Sequence, residues 1–469
     1  MASIALPIAS YQLPHPVGSS ARLVNCHSQP APQGGKAAII LQRSAGISTL
    51  ATLDAAANSV GRGAIKMNGV LYVLVNTTLW RVSSSWVGTS VGTIPGSDRV
   101  KMSTNGSVIV IVRPSSGLGY SCDGSTTSQI VDAVFTGFGA ADVAFIHGYF
   151  VFRRPNSGQF FNSGLNALTF DALDIAEAEQ VPDNLLALTV DHEDVLLLGT
   201  DSSELWYDAA NESGSPFSKS PGGVVTMGLA GPDAHGHQDN ATFMLATDRT
   251  FRRLSGVTPL KVSQFGIDAQ LQRLSQVSDG YTVSYTTDGH MFIAWIFPFD
   301  GRAFVYDCST QQWHERESFG ADYWRPAEIV ECYGKQVVVD SISGKIGYID
   351  TEAMTEFGDP QSMSWTYQAV YAENRLAVHR RFELVVNSGH GLLTGQGSNP
   401  VVTLEISDDG GETFRTLPTK SLGLRGKYGA TVYWDQLGSA RQRVYRVSIS
   451  DPIPVMTVDT ILTADGARV

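Results

Sequence analysis

Two places in the chain bring together residue types that could do chemistry. In H-G-H-Q-D, residues 235–239, alternation along an extended segment puts His235 and His237 on one face with Asp239 beside them. Two imidazoles and a carboxylate could seed a metal site, but a tetrahedral centre needs a further ligand from elsewhere, and solvated surface histidines account for the same residues. Near the C-terminus, S-D-D-G-G-E-T-F at 407–414 carries Asp408, Asp409 and Glu412, oxygen ligands of the kind calcium takes. A turn role already accounts for the two aspartates, because the octapeptide fits the Asp-box pattern Ser-x-Asp-x-Gly-x-Thr-aromatic. Ser407 and Asp409 oxygens can bond nearby backbone N–H groups, Gly410 and Gly411 can take positive φ, Thr413 closes the pattern, and Phe414 is expected to pack beneath the turn. No metal and no cofactor is expected.

Asp boxes recur in sialidases and other glycosidases, where they are structural. Such propellers repeat the box in several blades, whereas here there is one complete copy; the nearest partial one, at 247–251, lacks the glycine. Glycoside cleavage needs two carboxylates at a set separation across a cleft, which spacing along a chain does not specify. A phosphate-binding loop ending in Gly-Lys-Ser/Thr and HExxH are both missing from the sequence. The chain is therefore read as non-enzymatic, with a glycan-binding or glycan-cleaving propeller as the alternative. The one cationic concentration is Arg415, Lys420, Arg425, Lys427, Arg441, Arg443 and Arg446, interleaved with Tyr428, Trp434 and Tyr445. It is a candidate docking surface for acidic protein, including the acidic part of a neighbouring copy; nucleic acid and an ordinary solvated sheet face are the other readings.

The elements that must hold these residues read as β throughout. Forty-seven glycines, 17% charged residues and abundant Ser, Thr and Val suit many short strands joined by tight turns. Asn68-Gly69 between apolar runs is a strong hairpin signal, and Asn105-Gly106, His147-Gly148, His192 to Asp194, Asp288-Gly289 and Tyr333-Gly334 fall in similar places. Their separations lie near the ~40-residue repeat of propeller blades. The rhythm is irregular between Ser213 and Ser263, so five to seven blades are expected, with ordinary β-meanders as the alternative. The expected organisation is an N-terminal arm over 1–50 packed on the C-terminal module, a β-propeller body over 51–355, and a C-terminal β-sandwich-like domain over 356–469. Helix is expected to be scarce, with a single turn at 176–179.

Charge is uneven. Residues 360–469 carry 11 Lys and Arg against 10 Asp and Glu, so residues 1–359 hold the remaining 22 against 35, a charge of −13. An acidic body of this kind repels nucleic acid, as a solvation device or as a wall along which DNA slides without sticking. Cys26, Cys122, Cys308 and Cys332 have no metal-ligand spacing and are read as free thiols made in a reducing cytosol. The start lacks a basic n-region and is interrupted by Pro7 and Pro14, so no signal peptide is expected. No run approaches ~18 apolar residues, so no membrane insertion by this chain is expected.

Taken in order, several segments resemble the packaged-DNA stabilisation proteins of short-tailed bacteriophages, the tail hub or nozzle family. They begin with Arg22-Leu23-Val24-Asn25 and Gly34-Gly35-Lys36, where Ala45-Gly46 replaces the family's Pro-Gly and Cys26-His27 stands where an apolar-aromatic pair is common. They continue with G-Y-F-V-F at 148–152, F-F-N-S at 160–163, F-D-A-L at 170–173, A-E-A-E at 176–179, P-D-N at 182–184, E-L-W-Y-D at 204–208, V-Y-D at 305–307 and W-H-E-R at 313–316. The closing stretch is the most similar: 407–414, Ser421-Leu422-Gly423, Gly426-Lys427-Tyr428, Trp434, Leu437-Gly438 and 441–446. The resemblance implies a virion structural protein with a propeller-like fold, assembling as a homohexamer below the portal and its adaptor ring. It further implies closure of the DNA exit, passage of packaged double-stranded DNA without sequence-specific binding, and attachment of tailspikes, fibres or a needle. The implied location is the virion tail, assembled in the host bacterial cytoplasm. An exported bacterial propeller adaptor with a processed N-terminus is a third reading.

Overall fold

Hairpin turns set the architecture. Asn68 (φ 48°) and Gly69 (φ 74°) join Gly61–Met67 to Val70–Val75 through a two-residue loop with both residues at positive φ. His147-Gly148, Asp288-Gly289 and Tyr333-Gly334 repeat that geometry. Asn105-Gly106 differs: Thr104 pairs with Ile109, and the Asn105 side chain accepts from the N–H groups of Ser107 and Val108 across a longer loop.

The computed structural model describes residues 2–15, 18–31, 34, 37–178, 182–211, 213–371 and 375–466. Gly35, Lys36 and Glu179, named above, lie outside the described residues. Five four-stranded antiparallel sheets follow one another over 61–93, 101–129, 142–177, 185–225 and 235–261, and a sixth set of four strands spans 281–315. The seventh blade takes Pro326–Cys332, Lys335–Asp340 and Gly344–Asp350 from late in the chain and Gly46–Asp54 from early in it. Its inner strand packs on Gly61–Met67, which closes the ring. The second strand of each blade is buried on both faces, since a blade is covered by its neighbours on either side.

The fifth blade hides in the irregular stretch because its first hairpin, between His235–Gln238 and Ala241–Leu245, turns on Asp239 (φ 48°) and Asn240 (φ 51°) and lacks the glycine that marks most of the other turns. The helical turn expected at 176–179 is not formed over its described part: Ile175–Glu177 is the outer strand of the third blade, held by pairing of Ala176 with Phe160 and Ile175 with Phe161. The α-helices among the described residues are Ala133–Phe138, capped by the Asp132 carboxylate, and Phe265–Arg273.

The β-sandwich uses both ends of the chain. One sheet runs Cys26–Pro30, Ile39–Arg43, Met456–Gly466, Ala377–Val386, Val432–Asp435; the other runs Ser20–Val24, Met363–Thr366, Gln442–Ile449, Val401–Ser407, Arg415–Thr416. Between them Trp365, Tyr367, Phe382, Leu404 and Tyr445 form the core, joined by Leu6, Leu23, Cys26 and Leu41 from the first fifty residues. Each of those leucines contributes roughly 2 kcal/mol by burial, which holds the proline-interrupted arm in place. Val24 pairs in parallel with Glu315, so the sheet of the sixth blade continues into the sandwich.

The junction is charged and buried. Arg316 donates to Glu356 at 3.0 Å and to the Ala45 carbonyl at 2.7 Å, while Trp324 Nε1 donates to Glu356 at 2.9 Å. Beside it, His27 of the arm meets His290 and His314 of the sixth blade with ring centroids 5.0 and 5.7 Å apart.

Candidate functional site

Asp409 sits at the centre of its turn. Its carboxylate accepts from Ser407 Oγ at 2.5 Å, from the N–H groups of Glu412 and Thr413 at 3.0 Å, and from Thr413 Oγ1; the Gly411 N–H donates to Ser407 Oγ at 2.8 Å. Gly410 and Gly411 have φ of 83° and 107°. Bonds to the ionised form, from the Ser407 hydroxyl first and then from Thr413, hold the Asp409 carboxyl well below the ordinary carboxylate range. Asp408 points elsewhere and takes a bidentate bond from Arg443 at 2.6 and 2.9 Å, so the two aspartates do not converge on a cation. Phe414 directly precedes the return strand Arg415–Thr416, outside the sandwich core, and its half-buried ring lies 3.9 Å from the Arg446 guanidinium. A cleft of about 350 Å³ there is lined by Gly411, Phe414 and Arg446 from the sandwich and by Gln270 and Arg273 of the propeller. The Asp-box end of the sandwich therefore faces the propeller.

The seven basic residues do not form one surface. Arg443 is buried under its ion pair with Asp408 and donates to the Leu437 carbonyl; Trp434 and Tyr445 are core residues. Trp434 alternates with the exposed Tyr433 and Asp435, whereas Arg443, Val444 and Tyr445 are buried in succession, and burial takes Arg443, Trp434 and Tyr445 out of any docking surface. Arg446 is paired with Glu405 at 2.6 Å and stacked on Phe414. Arg415 and Arg441 are exposed, Lys420 is half-buried beside the Tyr433 ring, and Arg425 and Lys427 project with Tyr428 from a loop at the other end of the sandwich.

His235 and His237 lie on the inner strand of the fifth blade, and the two imidazoles and the carboxylate of H-G-H-Q-D do not converge. His237 meets Thr189 and Thr242 hydroxyls at 2.7 and 3.2 Å, while Asp239 is in the hairpin turn, 3.6 Å from Arg253. His235 faces the ring axis, where burial and then Lys101 push its imidazole down to about 3. Among the described residues, no group of three His, Cys, Asp or Glu is placed to hold a metal ion.

The axis itself is crossed by an ion pair. Lys101 of the second blade reaches Asp233, at the entrance to the fifth, at 2.5 Å. Burial raises the Asp233 carboxyl, but Lys101 and Arg99 outweigh it and hold it at about 2. Arg99 lies over the Tyr281 ring at 4.1 Å and 3.7 Å from Glu328. What is left of the axial space is a polar cavity of about 400 Å³, lined by residues of the first, second, fifth, sixth and seventh blades.

The negative charge expected over the whole main body is confined to a sector. Residues 155–218 contain twelve Asp and Glu and no Lys or Arg, so they carry all of the chain's net −12. They form the outer half of the third blade and almost all of the fourth. Some carboxylates serve the fold, such as Asp183, which accepts from the Asp201 and Ser202 N–H groups, and Glu204, paired with Lys219. Others are exposed, among them Asp171, Glu177 and Glu193. The signal was available in the sequence as a long stretch without Lys or Arg.

A family model for phage stabilisation, described as "Bacteriophage P22 Gp10, beta-propeller", matches residues 19–354, and a second, described as "Bacteriophage P22 Gp10, beta-sandwich", matches residues 363–462. The chain belongs to the P22 Gp10 family. It is a phage structural protein of the kind that stabilises packaged DNA, and a component of the virion. The Gp10 family accounts for a propeller followed by a sandwich, as both the sequence and the sheet topology have it. No curated protein matches the chain. Solved structures similar to it include the computationally designed Ika8 protein (11% identity, 74% of this chain and 100% of that one, TM-score 0.38). Others are the Myceliophteria thermophila Cps50 (Swd1) propeller domain (11%, 64% and 98%, 0.41) and YCF48 from Cyanidioschyzon merolae (10%, 65% and 98%, 0.41). At these values they carry no functional argument.

Proposed function

We propose that this Gp10-family chain is the subunit of a homohexameric tail ring, the nozzle or hub below the portal and its adaptor. The ring closes the DNA exit after packaging, becomes the conduit at ejection, and carries tailspikes, fibres or a needle. The observation that supports this most is the Lys101–Asp233 pair across the propeller axis. A duplex whose major groove alone is ~12 Å wide does not pass through a space that one ion pair spans, so a conduit has to run between copies. Outside residues 155–218 the chain has 33 Lys and Arg against 33 Asp and Glu. A conduit wall built from those parts has no net attraction for phosphate, and the duplex neither sticks nor jams.

Purified protein imaged by single-particle microscopy with the phage adaptor ring tests the reading. A six-fold ring with a lumen that is neutral or acidic is expected. A uniformly basic lumen, or a persistent monomer that binds or cleaves surface polysaccharide, would overturn it.

A further inference from the structure

The end of the sandwich away from the propeller has the composition of a docking tip. Val401–Ser407 pairs with Lys420 and Ser421 at its start and with Arg415 and Thr416 at its end, so the loops 389–394 and 422–428 lie about 20 Å from the Asp-box turn. Because that turn faces the propeller, these loops point away from it. Segments 387–400 and 417–431 contain Lys420, Arg425 and Lys427 and no Asp or Glu. Leu393, Leu424 and Tyr428 are 77%, 55% and 69% exposed, an apolar group with no cover in the chain itself.

The tip is fixed rather than slack. Ser388 Oγ donates to the Tyr428 carbonyl at 2.7 Å and the Gly426 N–H to the Gly389 carbonyl at 3.0 Å. Gly389 has φ of 81°, and a Cβ there would meet the Lys427 backbone at 2.7 Å. Between the loops is an open concavity of about 530 Å³, lined in part by His390, Leu392, Leu393, Arg425 and Tyr428.

The complement is on the same chain, in the acidic sector. The loop 163–174 of the third blade raises Leu165 and Leu173, 60% and 73% exposed, next to Asp171 and Asp174. The sandwich is attached at the sixth blade, three blades round the ring from this loop. We propose that the sandwich tip of one copy docks on the acidic third-blade loop of the next, a leucine of loop 163–174 entering the concavity and Arg425 and Lys427 meeting Asp171 and Asp174. Such a contact joins unlike surfaces head to tail and closes into a ring when the rotation permits. The inference rests on the ring reading above and adds to it which surfaces meet.

Charge swapping in the full chain tests it, with sedimentation velocity as the readout and thermal unfolding as the check on folding. Arg425→Glu with Lys427→Glu, or Asp171→Lys with Asp174→Lys, should each weaken self-association at least tenfold, since like charges then oppose each other. Carrying all four changes should restore assembly to within about threefold of the natural chain. If the natural chain forms rings and neither reversal moves them, the contact lies elsewhere and the ring reading survives without it. If the natural chain stays monomeric at every concentration and with the adaptor ring, both fall. If the tip reversal leaves assembly intact and instead abolishes binding of a 30-base-pair duplex, the tip is a nucleic-acid surface and the proposal is wrong.

Discussion

Replacing Glu356 by Gln should uncouple the two halves of the molecule. Glu356 is 1% exposed and accepts from Arg316, Trp324 and Ser318, and Arg316 has no exposure at all. Neutralising the carboxylate leaves a buried guanidinium without its counter-charge, held only by neutral acceptors, the Gln amide oxygen and the Ala45 carbonyl, with a long contact to Tyr285 and the Trp324 face beside it. Removing one partner of such a pair typically costs about 3–5 kcal/mol. For a unit of this size that lowers the unfolding midpoint by roughly 3–8 °C. Because Glu356 also pairs with Ile47 on the strand that closes the ring, the propeller and the arm should loosen together. Calorimetry at neutral pH reads the midpoint, and limited proteolysis reads cleavage near residue 45. A double variant, Arg316→Met with Glu356→Leu, should recover most of the loss, since no buried charge is then left alone. An unchanged midpoint in Glu356→Gln, or a double variant worse than the single, would refute the reasoning.

Three further outcomes follow from the charge environments. Burial and then His290 hold His27 down to about 4, so the folded state binds fewer protons than the unfolded between about pH 6.5 and 4, and stability falls with acid across that window by about 3 kcal/mol. His314 acts in the same direction; His290, raised by its bond to Asp307, acts against it. Urea unfolding of His27→Leu should be flatter over this window, and equal slopes in variant and natural chain would contradict the assignment. Lys101→Gln removes the charge that holds Asp233 at about 2, so a carboxyl-NMR titration should find Asp233 titrating at higher pH; an unmoved titration means the pair does not form. Asp409, whose folded value is depressed, stabilises its turn above the ordinary carboxylate range and loses that effect only as pH falls through the folded value. Asp409→Ala should therefore speed amide exchange at Gly411, Glu412 and Thr413 at pH 7, whereas unaltered exchange and ring formation would count against the hairpin role.

What the sequence made legible were features that act locally. Asn68-Gly69 and Asp288-Gly289 announce their turns because only certain residues tolerate positive φ there, and Ser407, Asp409, Gly411 and Thr413 announce theirs through bonds four residues long. Features decided by distant partners were harder to read. Gly46–Asp54 becomes a blade strand only because Gly344–Asp350 leaves an open edge for it. Arg443 reads as one more cation until the fold buries it against Asp408, and the Arg446 guanidinium over the Phe414 ring comes from a strand distant in sequence. The acidic sector could have been read directly, since 155–218 lacks Lys and Arg, but dividing the charge at residue 360 spread it over the whole main body.

The central claim, that DNA is held and released between copies rather than through any one propeller, is tested most directly by imaging the DNA-filled particle at the tail. The account predicts six copies around the duplex axis, each propeller axis empty and still crossed by Lys101–Asp233. Duplex density running along the axis of a propeller, or this chain present as a single copy off the DNA path, would contradict it.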